Sequence, residues 1–178
     1  MVELGNFDSF YDQGLTFSAE DVLEMTRKTR SLLPTIPLSV TVPHTLDLDE
    51  QVSLAQELEA LGVDIIQTEG KFSLDPSKGG FQGAIERAAP TLAAAHAISR
   101  AVNIPVMAAS GLSDITAPMA LAAGARGVGV GSAVNKIDSE IGMVAVVRAI
   151  AISMGLPKPA VADQGMPAAS RAVEGVVA

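Results

Sequence analysis

Two glycine-rich segments carry the residue types and spacing of a phosphate site. The first is AASGL at positions 108–112, and the second is GVGVGSA at positions 127–133. Glycine lets backbone N–H groups approach an anion closely, and a helix that begins directly afterwards adds positive potential. The alternative is that the glycines only permit tight turns. We predict phosphate binding, with the candidate residues Ser110, Gly111, Gly129, Gly131 and Ser132.

Polar side chains at the ends of three earlier aliphatic runs form a second candidate site. The pairs are Glu3 with Asn6, Thr41 with His44, and Gln67 with Glu69. We predict His44 and Glu69 as the catalytic pair, because imidazole and carboxyl groups serve as general acids and bases. A divalent metal held with Glu3 is a less favoured alternative, so no metal site is predicted. In the structural alternatives, His44 caps a loop and Glu69 binds neighbouring backbone amides.

Two other chemically capable residues are predicted to have smaller roles. Lys71 follows Gly70 in a predicted loop. A Schiff-base lysine needs a dry strand position, so contact with phosphate or solvent is favoured for Lys71. His96 lies in an alanine-rich helical segment, which favours a packing or surface role.

The elements that position these residues alternate regularly along the chain. Predicted strands occupy residues 2–5, 38–42, 64–67, 105–108 and 127–130. Predicted helices occupy about residues 18–33, 49–61, 90–102, 116–124 and 138–154. Ser18 and Asp21 have the spacing of a capping box, and Pro90 is a favourable first helical residue. Residues 6–11 and the Gly-rich stretch 71–83 are predicted loops, and residues 155–178 a flexible tail.

Five strands that are each followed by a helix indicate a parallel sheet with right-handed crossovers. A closed barrel of this type has eight βα units and about 250 residues. Residues 1–154 are therefore predicted to be the last five units, units 4–8, of a (β/α)8 TIM barrel. Met1 lies inside the first strand, so we expect a longer parent protein with three preceding units. A doubly wound sheet is disfavoured because no G-x-G-x-x-G motif follows the first strand.

Composition narrows the class of protein. The 178 residues are 48% hydrophobic and 18% charged, which excludes an intrinsically disordered chain. The net charge of −8 disfavours nucleic acid and anionic membranes as partners. The absence of cysteine excludes disulfides and thiol chemistry, and no apolar stretch is long enough to span a membrane.

Five motifs together resemble the hypothetical chloroplast open reading frame 23 family of cyanobacteria and algal plastids. They are NFDSFY (6–11), SVTVPH (39–44), QTEG (67–70), ASGLS (109–113) and GVGSAVN (129–135). The resemblance covers residues 2–154. It implies a full (β/α)8 barrel, similar to the ribulose-phosphate-binding and thiazole-synthase-like barrels, with no established reaction. Residues 2–6 would then match the fourth strand, and a cyanobacterial cytoplasm or a plastid stroma is the implied location.

The leading hypothesis from the sequence is an enzyme that acts on a small phosphorylated metabolite. The alternatives are a non-catalytic barrel that senses such a ligand, and an inactive fragment of a longer gene product. No cofactor can be assigned. A small phosphorylated molecule is the expected partner, and open sheet edges are expected to cause self-association.

Overall fold

The fold is a parallel β-sheet covered by helices, in a computed structural model that describes residues 1–5, 7–70 and 77–157. The strands follow one another in chain order, β1-β2-β3-β4-β5, and every neighbouring pair is parallel. A doubly wound sheet reverses its strand order in the middle, whereas a βα barrel does not. The architecture is therefore that of a partial βα barrel, as the sequence predicted.

The elements of the described residues run in the following order: β1 (Val2–Leu4), α1 (Asp8–Tyr11), α2 (Ala19–Leu32), β2 (Leu38–Val42), α3 (Leu48–Ala60), β3 (Ile65–Thr68), α4 (Gly80–Ser99), β4 (Val106–Ala109), α5 (Ala117–Ala122), β5 (Gly127–Gly129), α6 (Ser132–Asn135) and α7 (Glu140–Ser153).

The core lies between one face of the sheet and the helices. Val40 and Ile66 of the central strands are fully buried in the same cluster as Leu54 and Leu58 of α3. A second cluster joins Ala108 of β4 to α4 and α5. Since alternate strand residues point to opposite faces, helices on one face leave the other face free to form the interior of a barrel.

The amino-terminal ends of the strands are held by an arginine–carboxylate clamp. Arg30 donates to the Asp64 carboxylate at 2.8 Å and to the carbonyl oxygens of Gly62 and Ile36 at 2.6 and 2.8 Å. The Leu38 amide also donates to Asp64, at 2.8 Å. That amide, and then Arg30, hold the pKa of Asp64 below its ordinary value. The clamp fixes α2, β2 and β3 relative to one another.

The prediction that Pro90 begins a helix is wrong. Helix α4 starts at Gly80 and contains Pro90 in its interior. Proline removes one backbone hydrogen bond and disfavours such a position. However, residues on both sides of it, including Ala88 and Thr91, are fully buried, so tertiary packing outweighs the local penalty. The predicted loop 71–83 is correspondingly shorter at its carboxyl end.

Three other predictions concern the ends of regular structure. Residues 6–11 were predicted to be a loop, but Asp8–Tyr11 form one helical turn, α1. Residues 158–178, most of the predicted flexible tail, lie outside the described residues, so the tail remains a prediction. The capping box at Ser18 is confirmed, because its hydroxyl accepts from the Asp21 amide and Asp21 accepts from the Ser18 amide.

Candidate functional site

Glu69 is the buried carboxylate at the carboxyl-terminal end of the sheet. It follows β3 directly, and its side chain is only 4% exposed. Polar side chains are rarely buried this deeply without hydrogen bonds. Its Oε2 atom accepts from the His44 backbone amide at 3.1 Å and lies 3.1 Å from His44 Nδ1. The two predicted catalytic residues therefore contact each other.

Tyr11 is the third member of this cluster, which we call the mouth triad: Tyr11, His44 and Glu69. Its hydroxyl donates to Glu69 Oε2 at 2.6 Å. Its ring meets the His44 ring edge to face, with centroids 5.0 Å apart and planes at 82°. The sequence prediction placed Tyr11 in a loop and gave it no role. Its being the only tyrosine of the chain, next to a strand end, was the available signal.

The first predicted phosphate loop, after β4, lies beside the mouth triad. Gly70 follows Glu69, and a Cβ atom on Gly70 would lie 2.8 Å from the Ser110 Cβ atom. The chain after β3 therefore contacts the chain after β4 directly.

The loop after β4 makes a sharp turn through two left-handed residues. Ser110 has φ 75° and Gly111 has φ 71°. A non-glycine residue at such an angle is uncommon and often marks a functional segment. The turn is held by Thr91 of α4, whose hydroxyl lies 2.8 Å from each of the Ala109 and Ser110 carbonyl oxygens. A side chain at Gly111 would overlap the Arg87 carbonyl, so this position requires glycine.

The loop after β5 is open to solvent and leads into the short helix α6. Gly131 is the residue before α6, and its carbonyl accepts from the Val134 and Asn135 amides at 2.9 Å each. A Cβ atom on Gly131 would meet nothing within 4 Å, and its φ of −106° is accessible to any residue. Gly129 instead needs to be small, because its Cβ atom would lie 3.2 Å from that of Ala109.

The amides of these two loops are available donors. Within the described residues, the backbone N–H groups of Ser110, Gly111, Gly131 and Ser132 have no hydrogen-bond partner. None of these residues is buried. Unpaired backbone amides in turns are the donors that anion-binding backbone concavities use.

The top of the barrel-side face, next to these loops, is lined by small residues. Ala109 is paired with Gly129, and the next pair on this face is Met107 with Gly127. Their neighbours Ala108 and Val128 point instead to the helices. Barrel interiors are usually filled by Val, Ile and Leu, so the Ala109–Gly129 pair is smaller than the usual filling.

The other candidate residues lie elsewhere. Glu3 accepts a hydrogen bond from the side-chain amide of Gln67 at 3.1 Å. In the described part of the chain, no group of three His, Asp or Glu residues could hold a metal ion. His96 is exposed, as predicted. Lys71 and Asn6 lie outside the described residues.

The comparisons with known proteins identify relatives along most of the chain. A family model described as "Protein of unknown function (DUF561)" matches residues 1–157. An "Uncharacterized protein ycf23" from Cyanophora paradoxa is 45% identical over 84% of this chain and 61% of its own length. Proteins of the same title from Pyropia yezoensis and Porphyra purpurea are 40% and 39% identical over 81% of this chain, and 53% and 54% of their own lengths.

The chain thus spans between about half and three fifths of the curated relatives that it matches. No described helix is long and apolar enough to cross a membrane. The matched segment includes the mouth triad and both glycine-rich loops, and the resemblance inferred from the five motifs is confirmed. The chain belongs to the family of uncharacterised ycf23 proteins that the DUF561 model describes.

Proposed function

We propose that this protein binds a small phosphorylated molecule at the loops after β4 and β5 and acts on it as an enzyme. The observation that carries the proposal is the set of unpaired amides at Ser110, Gly111, Gly131 and Ser132, on two neighbouring turns. Such amides bind an anion without a lysine or arginine, because each N–H group presents a partial positive charge.

The mouth triad supplies the acid–base chemistry in this proposal. His44 is the group that exchanges a proton with the ligand, and Glu69 orients its ring through the contact at Nδ1. A buried carboxylate behind an imidazole is an arrangement that positions the ring and stabilises its charged form. Since the loop that contains Gly70 touches Ser110, the reacting atom of the ligand lies close to its phosphate.

Inorganic phosphate tests the anion site directly. Binding to the folded state raises its stability by RT ln(1 + [L]/Kd), which is about 1.4 kcal/mol at ten times Kd. For a chain of this size, that corresponds to an increase in Tm of about 3–6 °C. The measurement is thermal unfolding of the full chain across a phosphate series, with sodium chloride at matched ionic strength as the control.

A pair of equal-sized variants shows where the phosphate binds. Gly131→Asp and Gly131→Asn both place a side chain in open space, and only the first adds a negative charge. We expect Gly131→Asn to keep most of the phosphate-dependent shift and Gly131→Asp to lose it. Equal shifts in both variants would place the anion elsewhere, and no shift in the wild type would refute phosphate binding.

The second candidate function is a non-catalytic barrel that senses the same ligand. It is favoured by the partial exposure of the loops after β4 and β5, because a partner protein could contact these loops and distinguish the ligand-bound from the free state. The variant His44→Ala separates the two functions. An enzyme loses turnover and keeps its phosphate-dependent shift in Tm, whereas a sensor has no turnover to lose.

We also propose that this chain associates with a second copy of itself. Strands β1 and β5 each have one unpaired edge in the described sheet. Beside β5, apolar residues of α6 and α7 line a groove of about 310 Å³, and Val147 of this groove is 51% exposed. Pairing of β5 with β1 of a second copy would continue the parallel order and cover the groove.

The measurement for self-association is light scattering after gel filtration. The wild-type chain is expected to form dimers or larger species, and Val147→Asp is expected to weaken them, because a buried charge opposes the contact. A cooperatively melting monomer would contradict this proposal.

For location, we propose a cyanobacterial cytoplasm or a plastid stroma, following the family resemblance.

A further inference from the structure

We propose that Tyr11 is a positioning residue that acts through Glu69, and that it helps to hold the His44 ring with its proton on Nδ1. One oxygen of the Glu69 carboxylate contacts both of the other residues. Glu69 Oε2 lies 2.6 Å from the Tyr11 hydroxyl, 3.1 Å from the His44 amide nitrogen and 3.1 Å from His44 Nδ1. The inference rests on the proposed function for the ligand only; the geometry of the triad stands without it.

The partners of Oε2 determine which ring nitrogen carries the proton. An ionised carboxylate is only an acceptor, so Nδ1 must donate to it, and a neutral imidazole then has its lone pair on Nε2. Within the described residues Nε2 has no hydrogen-bond partner, and the His44 side chain is 16% exposed. Nε2 is therefore the ring nitrogen that is left to interact with a ligand.

Tyr11 contacts both other members of the triad, and its position is set by packing. Its hydroxyl reaches Glu69 while its ring lies edge to face with the His44 ring. The preceding residues anchor α1: Phe7 and Phe10 lie 4.7 and 5.7 Å from the ring of Phe17, measured between centroids. The hydroxyl therefore limits how Glu69, and through it the His44 ring, can rotate.

The geometry points to proton transfer without redox change as the reaction class. The Nε2 lone pair takes a proton from a C–H or O–H group of the phosphorylated ligand, and the bonding electron pair stays on the ligand. The resulting imidazolium keeps its Nδ1–H bond to the Glu69 carboxylate. The proton returns from Nε2 to the product, so no further reactant is needed.

The tautomer can be measured without any ligand, by nitrogen NMR on the full chain with isotope-labelled histidine. The chain has only two histidines, and the exposed His96 serves as an internal reference. His96→Gln assigns the signals. With the rings neutral, we expect His44 to carry its proton on Nδ1 and His96 to favour Nε2. Predominant protonation of His44 on Nε2 would overturn the proposal.

The role of Tyr11 is tested by Tyr11→Phe, with Phe10→Leu as the matched control in the same helical turn. Removing the hydroxyl leaves Glu69 freer to rotate, so its contact with His44 Nδ1–H loosens. We expect the Nδ1-protonated fraction of His44 to fall in Tyr11→Phe and to stay unchanged in Phe10→Leu. Equal behaviour of the two variants would mean that Tyr11 is only structural.

A second variant keeps the test decisive if Tyr11→Phe does not fold. Glu69→Gln preserves size but removes the carboxylate, and it is expected to reduce the Nδ1-protonated fraction of His44. An unchanged fraction would overturn the role of Glu69. The phosphate-dependent shift in Tm of the wild type separates the two proposals. Its absence would refute the anion site, but it would leave the tautomer result unchanged.

Discussion

Asp64 and Glu69 stand at opposite ends of β3, five positions apart, and they have opposite surroundings. The Asp64 side chain is 49% exposed and is bound by Arg30 and by the Leu38 amide. The Glu69 side chain is 4% exposed and is bound by Tyr11 and His44. One carboxylate therefore has a partner that stays charged, whereas the other has a partner that can exchange a proton.

The two ends of β3 thus differ in role: Asp64 joins elements of the fold, whereas Glu69 belongs to the candidate site. An arginine cannot lose its proton in a protein, so Arg30 keeps its charge and the clamp serves to join the elements. Histidine as a residue type changes its charge easily near neutral pH. A carboxylate beside a histidine can therefore affect where the imidazole carries its proton, in addition to stabilising the fold. In βα barrels, the amino-terminal end of the strands commonly supports stability and the carboxyl-terminal end carries the reaction.

The largest expected effect is loss of the clamp in Arg30→Ala. The variant removes Arg30 as a donor to the Asp64 carboxylate and to the Ile36 and Gly62 carbonyl oxygens, and leaves Asp64 only the Leu38 amide of the clamp. Hydrogen bonds to a charged group contribute about 1.5–3 kcal/mol, so we expect a loss of about 3 kcal/mol in the free energy of unfolding. Urea denaturation measures it.

The control for the clamp is Arg27→Ala on the same helix. Arg27 forms a salt bridge with Glu20, and both side chains are about half exposed or more. Exposed pairs of this kind contribute less than about 1 kcal/mol. If the two arginine variants lost equal stability, the clamp would have no special role.

The next largest effect lies at the mouth, where two glycines are expected to respond differently to the same change. Gly111→Ala forces a side chain into a left-handed residue and against the Arg87 carbonyl. We expect a loss of about 2 kcal/mol, because the left-handed conformation alone costs about 1–2 kcal/mol. Gly131→Ala meets open space and should change stability by less than about 0.5 kcal/mol. Thermal unfolding of both variants gives the comparison.

Much of the fold follows from local patterns. Leu38–Val42 is buried on both faces, which matches its aliphatic, β-branched composition. The Ser18 capping box starts α2 where it was predicted. Local rules fail at Pro90, where packing of α4 on the sheet outweighs helix propensity. They also missed the capping box of Asp47 and Glu50, so α3 was predicted to start one residue late.

The site was predictable as a location but not as a set of contacts. Strand ends of a parallel sheet meet at one edge, so His44 and Glu69 could be placed together from strand order alone. The bond from Tyr11 to Glu69 joins residues 58 positions apart. It depends on the path of the chain through α1, and a helix of four residues is too short to be recognised from a repeating hydrophobic pattern. The left-handed turn at Ser110 is likewise set by Thr91, from another element.

The smallest expected effect is the pH dependence that Asp64 gives to the clamp. The Leu38 amide, and then Arg30, lower the pKa of Asp64 from an ordinary value of 3.8. A lowered pKa in the folded state means that the contribution is fully present above the unfolded value and is lost as pH falls through the folded value. Because the side chain is half exposed, solvent limits the effect to below about 1 kcal/mol.

The measurement is the free energy of unfolding of the wild type and of Asp64→Asn, from about pH 6 down to about pH 2. Asparagine keeps an oxygen for the Leu38 amide but carries no charge for Arg30. The wild type should therefore exceed the variant most at the upper end, and the two curves should approach each other in acid. Parallel curves across the whole range would show that Asp64 is held by geometry alone, and the contrast with Glu69 would then rest on burial and not on charge.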